Sequence, residues 1–178
     1  MGIFKSQRFP QGDLSLSFGG IALVVHVWAI LNILIILPAW MLRASIWELA
    51  GAISYPLVAA LLESSILWIG MVALSYILPK KWLADKFAVL SSSMVWFLCF
   101  WAIVLLGGFV RVLELSLTQI LIGLFLVILS FGDLYYLVRR YERLEHRIKR
   151  LIRSVAILAY FYVFIDLLGV VVIVIRNL

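Results

Sequence analysis

The chain has 178 residues, of which 66% are hydrophobic and only 13% are charged. Soluble domains are about half apolar and about one quarter charged, and a chain this short cannot hide so much apolar surface in one globule. The composition therefore excludes an ordinary soluble protein and predicts a single membrane domain over residues 1–178. The net charge of +6 is typical of membrane topology and of contact with anionic lipid, so we expect no nucleic-acid partner.

The hydrophobic stretches predict an all-α bundle of five transmembrane helices. A helix needs about 20 apolar residues to cross the hydrocarbon core of a bilayer, and no Asp, Glu, Lys or Arg occurs between Leu14 and Leu42. The second span ends where Pro79 cannot continue the helix and Trp82 marks an interface. The predicted spans cover residues 18–40, 52–78, 87–110, 113–138 and 154–175.

The basic residues predict the orientation of this bundle. With five spans, the N-terminal tail and the loops after spans two and four share one side, which carries 12 Lys and Arg against 3 on the other. Cytosolic loops are enriched in Lys and Arg, so we expect a cytosolic N-terminus and an outer C-terminus in a plasma or inner membrane. Spans three and four should form a tight antiparallel hairpin, because only the region of Arg111 and Glu114 separates them.

The longest hydrophilic stretch, residues 139–153, is predicted to be a basic amphipathic helix that continues span four into the cytosol. Its apolar residues recur at spacings of three and four, which places them on one helical face. The segment is interpreted either as a docking or self-association face or as a basic surface on anionic lipid headgroups. The predicted contact residues for a partner or for lipid are Tyr141, Leu144, Ile148, Arg143 and Arg147.

Two acidic residues, Glu63 and Asp166, lie near the middle of spans two and five. An ionisable side chain at this depth costs about 2.5–3.5 kcal/mol on insertion scales, and it usually serves a function. Both residues are flanked by small residues at helical spacing, so both carboxyl groups should point into the bundle. The sequence predicts that they meet in a proton or cation site, with Asn32 and Ser64 supplying neutral oxygens. Which metal, if any, would bind there is left undetermined.

Two structural alternatives for these acids stay open. Neutral carboxylic acids and an amide can hydrogen-bond between helices and hold them together, or one acid can receive a basic residue from a partner subunit. No Lys or Arg lies in the middle of any span, so at least one acid is expected to be protonated. His26, about two turns nearer the cytosol on another face of span one, is interpreted as a hydrogen-bonded packing residue.

The sequence has no H-E-x-x-H, G-x-S-x-G, C-x-x-C, Walker or dinucleotide-binding motif, and its single cysteine, Cys99, lies in an apolar stretch. We therefore expect no catalytic residue and no cofactor, and an enzyme is the least favoured class. The leading hypothesis is a small channel, transporter or ion-conducting subunit, acting as a homo-oligomer or with other membrane subunits. The alternative is a non-catalytic membrane subunit, assembly factor or scaffold.

Overall fold

The computed structural model describes residues 9, 10, 12–109 and 117–178, except for the side chains of residues 105–109, 117–120 and 122. This part of the chain is entirely helical. A short 3-10 turn, Ala84–Lys86, precedes the third helix. The α-helices are α1 (Asp13–Met41), α2 (Ile46–Ile77), α3 (Phe87–Phe109), α4 (Leu117–Arg140) and α5 (Glu142–Asn177).

Four segments of the described chain are long and apolar enough to cross a membrane: α1, α2, α5 and the Ala84–Val104 part of the third helical region. The protein is therefore a membrane-embedded helical protein, as its composition predicts. Helix α4, with 24 residues, overlaps the predicted fourth span. Whether it crosses the membrane, and on which side the N-terminus lies, stay predictions.

Local sequence explains several helix ends. At the start of α2, the Ser45 hydroxyl accepts a hydrogen bond from the Glu48 backbone N–H, and the Glu48 carboxylate accepts one from the Ser45 N–H at 2.7 Å. This reciprocal pair satisfies amide groups that have no partner within the helix. Helix α2 ends at Ile77, two residues before Pro79. At the start of α1, Gly12 takes a left-handed backbone conformation with φ 81°.

The helices alternate in direction, and α1 packs against α2, α3 and α5. The Trp101 indole on α3 donates to the Ser130 hydroxyl on α4 at 2.9 Å, and the Phe97 ring lies 6.3 Å from the Phe131 ring, so α3 and α4 are antiparallel, as predicted for the hairpin. The connection between them, with Arg111 and Glu114, lies outside the described residues.

Small residues allow α5 to approach its neighbours closely. A Cβ atom at Gly19 of α1 would lie 3.3 Å from Ala156, and one at Gly169 of α5 would lie 3.2 Å from Val58 of α2. Membrane helices use such residues where their backbones come together, since dispersion contacts replace the hydrophobic effect in lipid. The central packing of α1, α2 and α5 therefore depends on glycines as much as on the larger side chains.

One end of the bundle, which we call the basic end, joins the starts of α1, α3 and α5 to the ends of α2 and α4. The Asp13 carboxylate, 2% exposed, accepts a hydrogen bond from Lys149 Nζ at 2.9 Å and one from the Ala88 N–H at 3.4 Å. A second ion pair joins Lys86 to Glu145. The buried apolar cluster of this end contains Leu83, Phe87, Val89, Leu90 and Val138.

The prediction that span four continues as one helix through residues 139–153 is wrong. Helix α4 ends at Arg140, Tyr141 has an extended backbone with φ −112° and ψ 95°, and residues 142–153 form the first part of α5. The physical reason lies at the basic end. Ile148 packs on the apolar cluster there, while Glu145 and Lys149 make ion pairs with other helices. These contacts hold the amphipathic segment along the bundle and do not let it project beyond α4.

Candidate functional site

Asp166 of α5 and His26 of α1 form a buried pair between the two helices. Asp166 Oδ2 lies 2.8 Å from His26 Nε2, and both side chains are 0% exposed. The other imidazole nitrogen, Nδ1, lies 2.8 Å from the Ala22 carbonyl oxygen one turn earlier in α1. The Tyr162 ring stacks on the imidazole, with centroids 4.9 Å apart and planes 5° from parallel. The imidazole is therefore fixed on both nitrogens and on one face.

These contacts determine how many protons the resting pair holds. A carbonyl oxygen only accepts, so His26 Nδ1 carries a hydrogen and donates it to Ala22. The Nε2 to Oδ2 hydrogen bond then contains one further proton, held by either atom. The pair is neutral overall in both cases, as an imidazolium with a carboxylate or as an imidazole with a carboxylic acid. Burial without a net charge is the arrangement that a low-dielectric interior favours.

The second carboxyl oxygen of Asp166, Oδ1, differs from Oδ2 in its hydrogen bonding. Oδ1 is buried and has no hydrogen-bond partner among the residues that the structure describes. A buried oxygen without a partner costs roughly 1–3 kcal/mol, so such an atom in a native protein requires an explanation. The unpaired oxygen gives the His26–Asp166 pair a vacant acceptor position for a further proton or donor.

Glu63 of α2 lies in a different environment. It is exposed on the surface of the described chain and lines a cleft of about 250 Å³ between α1 and α2, together with Asn32, Trp28 and Trp40. Pro56, Ala59 and Ala60 of α2 and Ala29 of α1 form the small-residue walls of this cleft. The small residues predicted beside Glu63 thus border the same cleft as Asn32 of α1.

Glu63 also lines a second cleft, of about 340 Å³, that opens toward α3. Its other walls are apolar, apart from the Cys99 thiol and the Trp28 ring, which borders both clefts. Across the described part of the chain, the Glu63 carboxylate makes no hydrogen bond and no ion pair, whereas Asn32 donates to the Trp28 carbonyl oxygen at 2.8 Å. Glu63 is thus the only residue with an ionisable carboxyl group on the wall of either cleft.

The structure brings together some of the predicted site residues and separates others. Glu63 and Asn32 share a cleft, but no hydrogen bond joins Glu63 to Asp166, which instead bonds His26. Ser64 is fully buried, and its hydroxyl donates to the Ala60 carbonyl oxygen at 2.7 Å. The four predicted residues therefore divide: Glu63 and Asn32 line one cleft, Asp166 bonds His26, and Ser64 takes part in neither arrangement.

Sequence reasoning missed His26 as the partner of Asp166. Only Lys and Arg were considered as internal cations, although a histidine can be protonated as well. The useful signal was that His26 is the single histidine within the predicted spans, the other being His146 in the hydrophilic segment. A buried carboxyl group without a basic partner should have directed attention to it.

The predicted contact residues at the start of α5 divide into two sets. Ile148 packs against the apolar cluster of the basic end, and Leu144 is half-buried. Tyr141, Arg143 and Arg147 are exposed. Part of the apolar face predicted for docking is thus covered by the chain itself, while the arginines face outward.

Within the described ranges, no group of three His, Cys, Asp or Glu side chains lies close enough together to hold a metal ion. No protein-family model matches the sequence, and comparisons with curated proteins and with solved structures find no significant match. The functional conclusion for this membrane protein therefore depends on its own geometry.

Proposed function

We propose that the protein is a small membrane transporter or ion-conducting subunit that binds and releases a proton at the His26–Asp166 pair. The observation that carries the proposal is the vacant Oδ1 of a fully buried carboxyl group whose other oxygen bonds a histidine. Intramembrane ionisable residues are expensive and usually mark ion or proton pathways. A pair that only joined two helices would gain nothing from leaving one carboxyl oxygen unsatisfied.

The chemistry of the His26–Asp166 pair suits reversible binding of a proton. With one shared proton the pair is neutral. A second proton, bound at Asp166 Oδ1 or retained on the imidazole, leaves a protonated acid beside an imidazolium, and the pair carries +1. A net charge is disfavoured in a low-dielectric interior, so proton arrival favours either a rearrangement that admits water or a balancing negative charge nearby. The carboxyl group of Glu63, which lines both clefts, is the proposed source of that balancing charge.

Proton flux into liposomes tests this proposal. The full-length protein is reconstituted with a pH-sensitive dye inside, and a potassium diffusion potential drives protons inward. We expect Asp166→Asn and His26→Gln each to reduce the flux tenfold or more, an effect on the order of 10²–10⁴ being typical when a positioned proton-transfer group is lost. Asp133→Asn, which neutralises an exposed acid on α4, is the matched control and should keep the flux.

Each variant is first checked for insertion and for a single symmetrical peak in size-exclusion chromatography. A flux equal to wild type in both properly inserted variants contradicts the proposal. If both variants fail to insert, Asp166→Glu, which retains the carboxyl group, decides, because a proton site should then keep part of its flux while a packing role should not.

The proposal includes assembly. Four or five helices can enclose a small site but provide only a thin wall around a pathway, so the working form is proposed to be a homo-oligomer or a complex with other membrane subunits, with the N-terminus in the cytosol. Native mass spectrometry of the protein extracted with its surrounding lipid measures the stoichiometry directly. A strictly monomeric protein that still conducts would contradict this part.

A second candidate function is a non-catalytic subunit or scaffold. It is favoured by the exposed Tyr141, which is 56% exposed at the break between α4 and α5, beside the exposed Arg143 and Arg147. In that case Tyr141→Ala should remove a co-purifying subunit, while Asp166→Asn should leave its association unchanged. Lost proton flux in Asp166→Asn, with association unchanged in Tyr141→Ala, supports the transport function.

A further inference from the structure

We infer that the two clefts beside Glu63 form one binding site for a lipophilic organic cation carrying a single positive charge. This inference deepens the proposed function, because it names a class of transported or regulatory ligand, and its role in transport rests on that proposal. The site uses side chains other than the His26–Asp166 pair, so binding can be measured separately from proton movement.

The charge of the walls selects a cation. Glu63 borders both clefts, and no Lys, Arg or His side chain lines either of them. A carboxylate beside apolar walls at membrane depth is stabilised by an opposite charge that arrives with the ligand. A neutral lipid chain could fill the space but would leave the carboxylate without a partner.

The shape and polarity of the site select a lipophilic ligand. The clefts have volumes of about 250 and 340 Å³, and together they fall within the range of roughly 300–1,000 Å³ typical of small-molecule sites. The cleft that opens toward α3 is lined mostly by aliphatic side chains, among them Ile103 of α3 and Leu67 of α2. Apolar groups of a ligand can therefore lie in this cleft while its charge lies against Glu63.

Two tryptophans strengthen the preference for an organic cation. Trp28 borders both clefts, and Trp40 borders the one that contains Asn32. Indole faces attract cations, most strongly where water is excluded, and this attraction suits bulky, weakly hydrated ammonium or phosphonium groups. A small metal cation is a poor fit, because Ca²⁺ takes about 6–8 oxygen ligands and the two clefts offer one carboxylate and one amide as side-chain oxygens.

Protons must compete with such a ligand. The carboxylate binds the cation only when it is deprotonated, so acidification should weaken binding, and cation binding should release a proton.

The probe for the test is tetraphenylphosphonium, and the protein is the full chain in nanodiscs of phosphatidylcholine. Equilibrium dialysis with radiolabelled probe should show saturable binding that weakens as the pH falls. Glu63→Gln should weaken binding by tenfold or more, Trp28→Ala by about threefold or more, and Glu63→Asp should retain most of it. Asp133→Asn, a charge-neutralising change at an exposed position of α4, should bind as wild type does.

Several outcomes would overturn the inference. One is equal saturable binding by wild type and a properly folded Glu63→Gln; another is equally tight, pH-independent binding of the uncharged analogue tetraphenylmethane, which indicates a lipid-chain groove. Asp166→Asn separates the two proposals. If Asp166→Asn retains cation binding and loses proton flux, both proposals are supported. If Glu63→Gln loses binding but Asp166→Asn keeps its proton flux, only the cation site remains. If Glu63→Gln keeps binding but Asp166→Asn loses its proton flux, only the proton site remains.

Discussion

Asp166 and Glu63 are both acids in apolar helices, yet the fold gives them opposite environments. Asp166 is 0% exposed and bonds His26, whereas Glu63 lines two open clefts and has no partner within the described chain. The close approach of α2 to α5 at Gly169, three residues after Asp166, narrows the space beside this acid. Pro56, Ala59 and Ala60 are small and leave space beside Glu63, which Trp28 and Trp40 of α1 border. Small residues thus close one site and open the other, depending on what lies opposite.

The largest expected effect compares removal of the two acids. Asp166→Ala leaves buried His26 without its partner and should lower the free energy of unfolding by about 3 kcal/mol, the size expected when one member of a buried pair is lost. Glu63→Ala removes an unpaired group and should cost less than about 1 kcal/mol. Unfolding in mixed micelles with increasing dodecyl sulfate, followed by circular dichroism, measures both. Equal losses would mean that the two environments are not different.

A second expected effect tests the close packing that encloses Asp166. The substitution Gly169→Leu would create a steric clash with Val58 and should destabilise the protein by about 2 kcal/mol through overpacking. Gly70→Leu is the matched control, because among the described residues no other part of the chain comes within 4 Å of a Cβ added there, and it should change stability by less than about 0.5 kcal/mol. Thermal unfolding in one detergent compares them. A harmless Gly169→Leu would show that α2 and α5 are not tightly packed there.

A second buried acid, Asp13, extends the comparison, since its partner is a lysine instead of a histidine. Lys149→Ala should cost about 1–2 kcal/mol, discounted from a fully buried pair because the lysine side chain is 34% exposed. The double variant Asp13→Asn with Lys149→Ala should cost less than the sum of the two single changes. A double-mutant cycle on the dodecyl sulfate unfolding curves gives the coupling. Strict additivity would mean that the ion pair contributes nothing.

The smallest expected effect concerns exposed charge at the basic end. Arg143→Gln and Arg147→Gln should each weaken the stabilisation by phosphatidylglycerol by about 1 kcal/mol or less, because each arginine near an anionic surface contributes about that much. The melting temperature with and without this lipid, at low and high salt, reports it. Stabilisation by phosphatidylglycerol that persists unchanged in the double variant would show that the lipid acts elsewhere.

The sequence was sufficient to predict the helices but not the pairing of the site residues. Long apolar stretches determine where helices lie in a membrane protein, so each predicted span overlaps an observed helix. The small residues beside Glu63 and Asp166 predicted that both carboxyl groups point into the bundle. Asp166 is buried, whereas Glu63 is exposed and lines a cleft with Asn32.

Rotation and translation of one helix relative to another could not be predicted. Helical spacing gives the face on which Asp166 lies but not which residue of α1 lies opposite, and a shift of two turns decides between Asn32 and His26. The break at Tyr141 was likewise invisible, since the segment around it contains no Gly or Pro. The position of the first part of α5, after this break, depends on long-range ion pairs such as that of Lys149 with Asp13, 136 residues apart.

The position of Cys99 has a practical consequence. It is the single cysteine of the chain, and its half-buried side chain borders the cleft that Glu63 shares with α3. The natural protein therefore carries its own attachment point for a fluorophore or a spin label at this place, and no engineered thiol is required. A spectroscopic signal from that label would follow occupancy of the cleft in real time, in the unmodified fold and in a native-like bilayer.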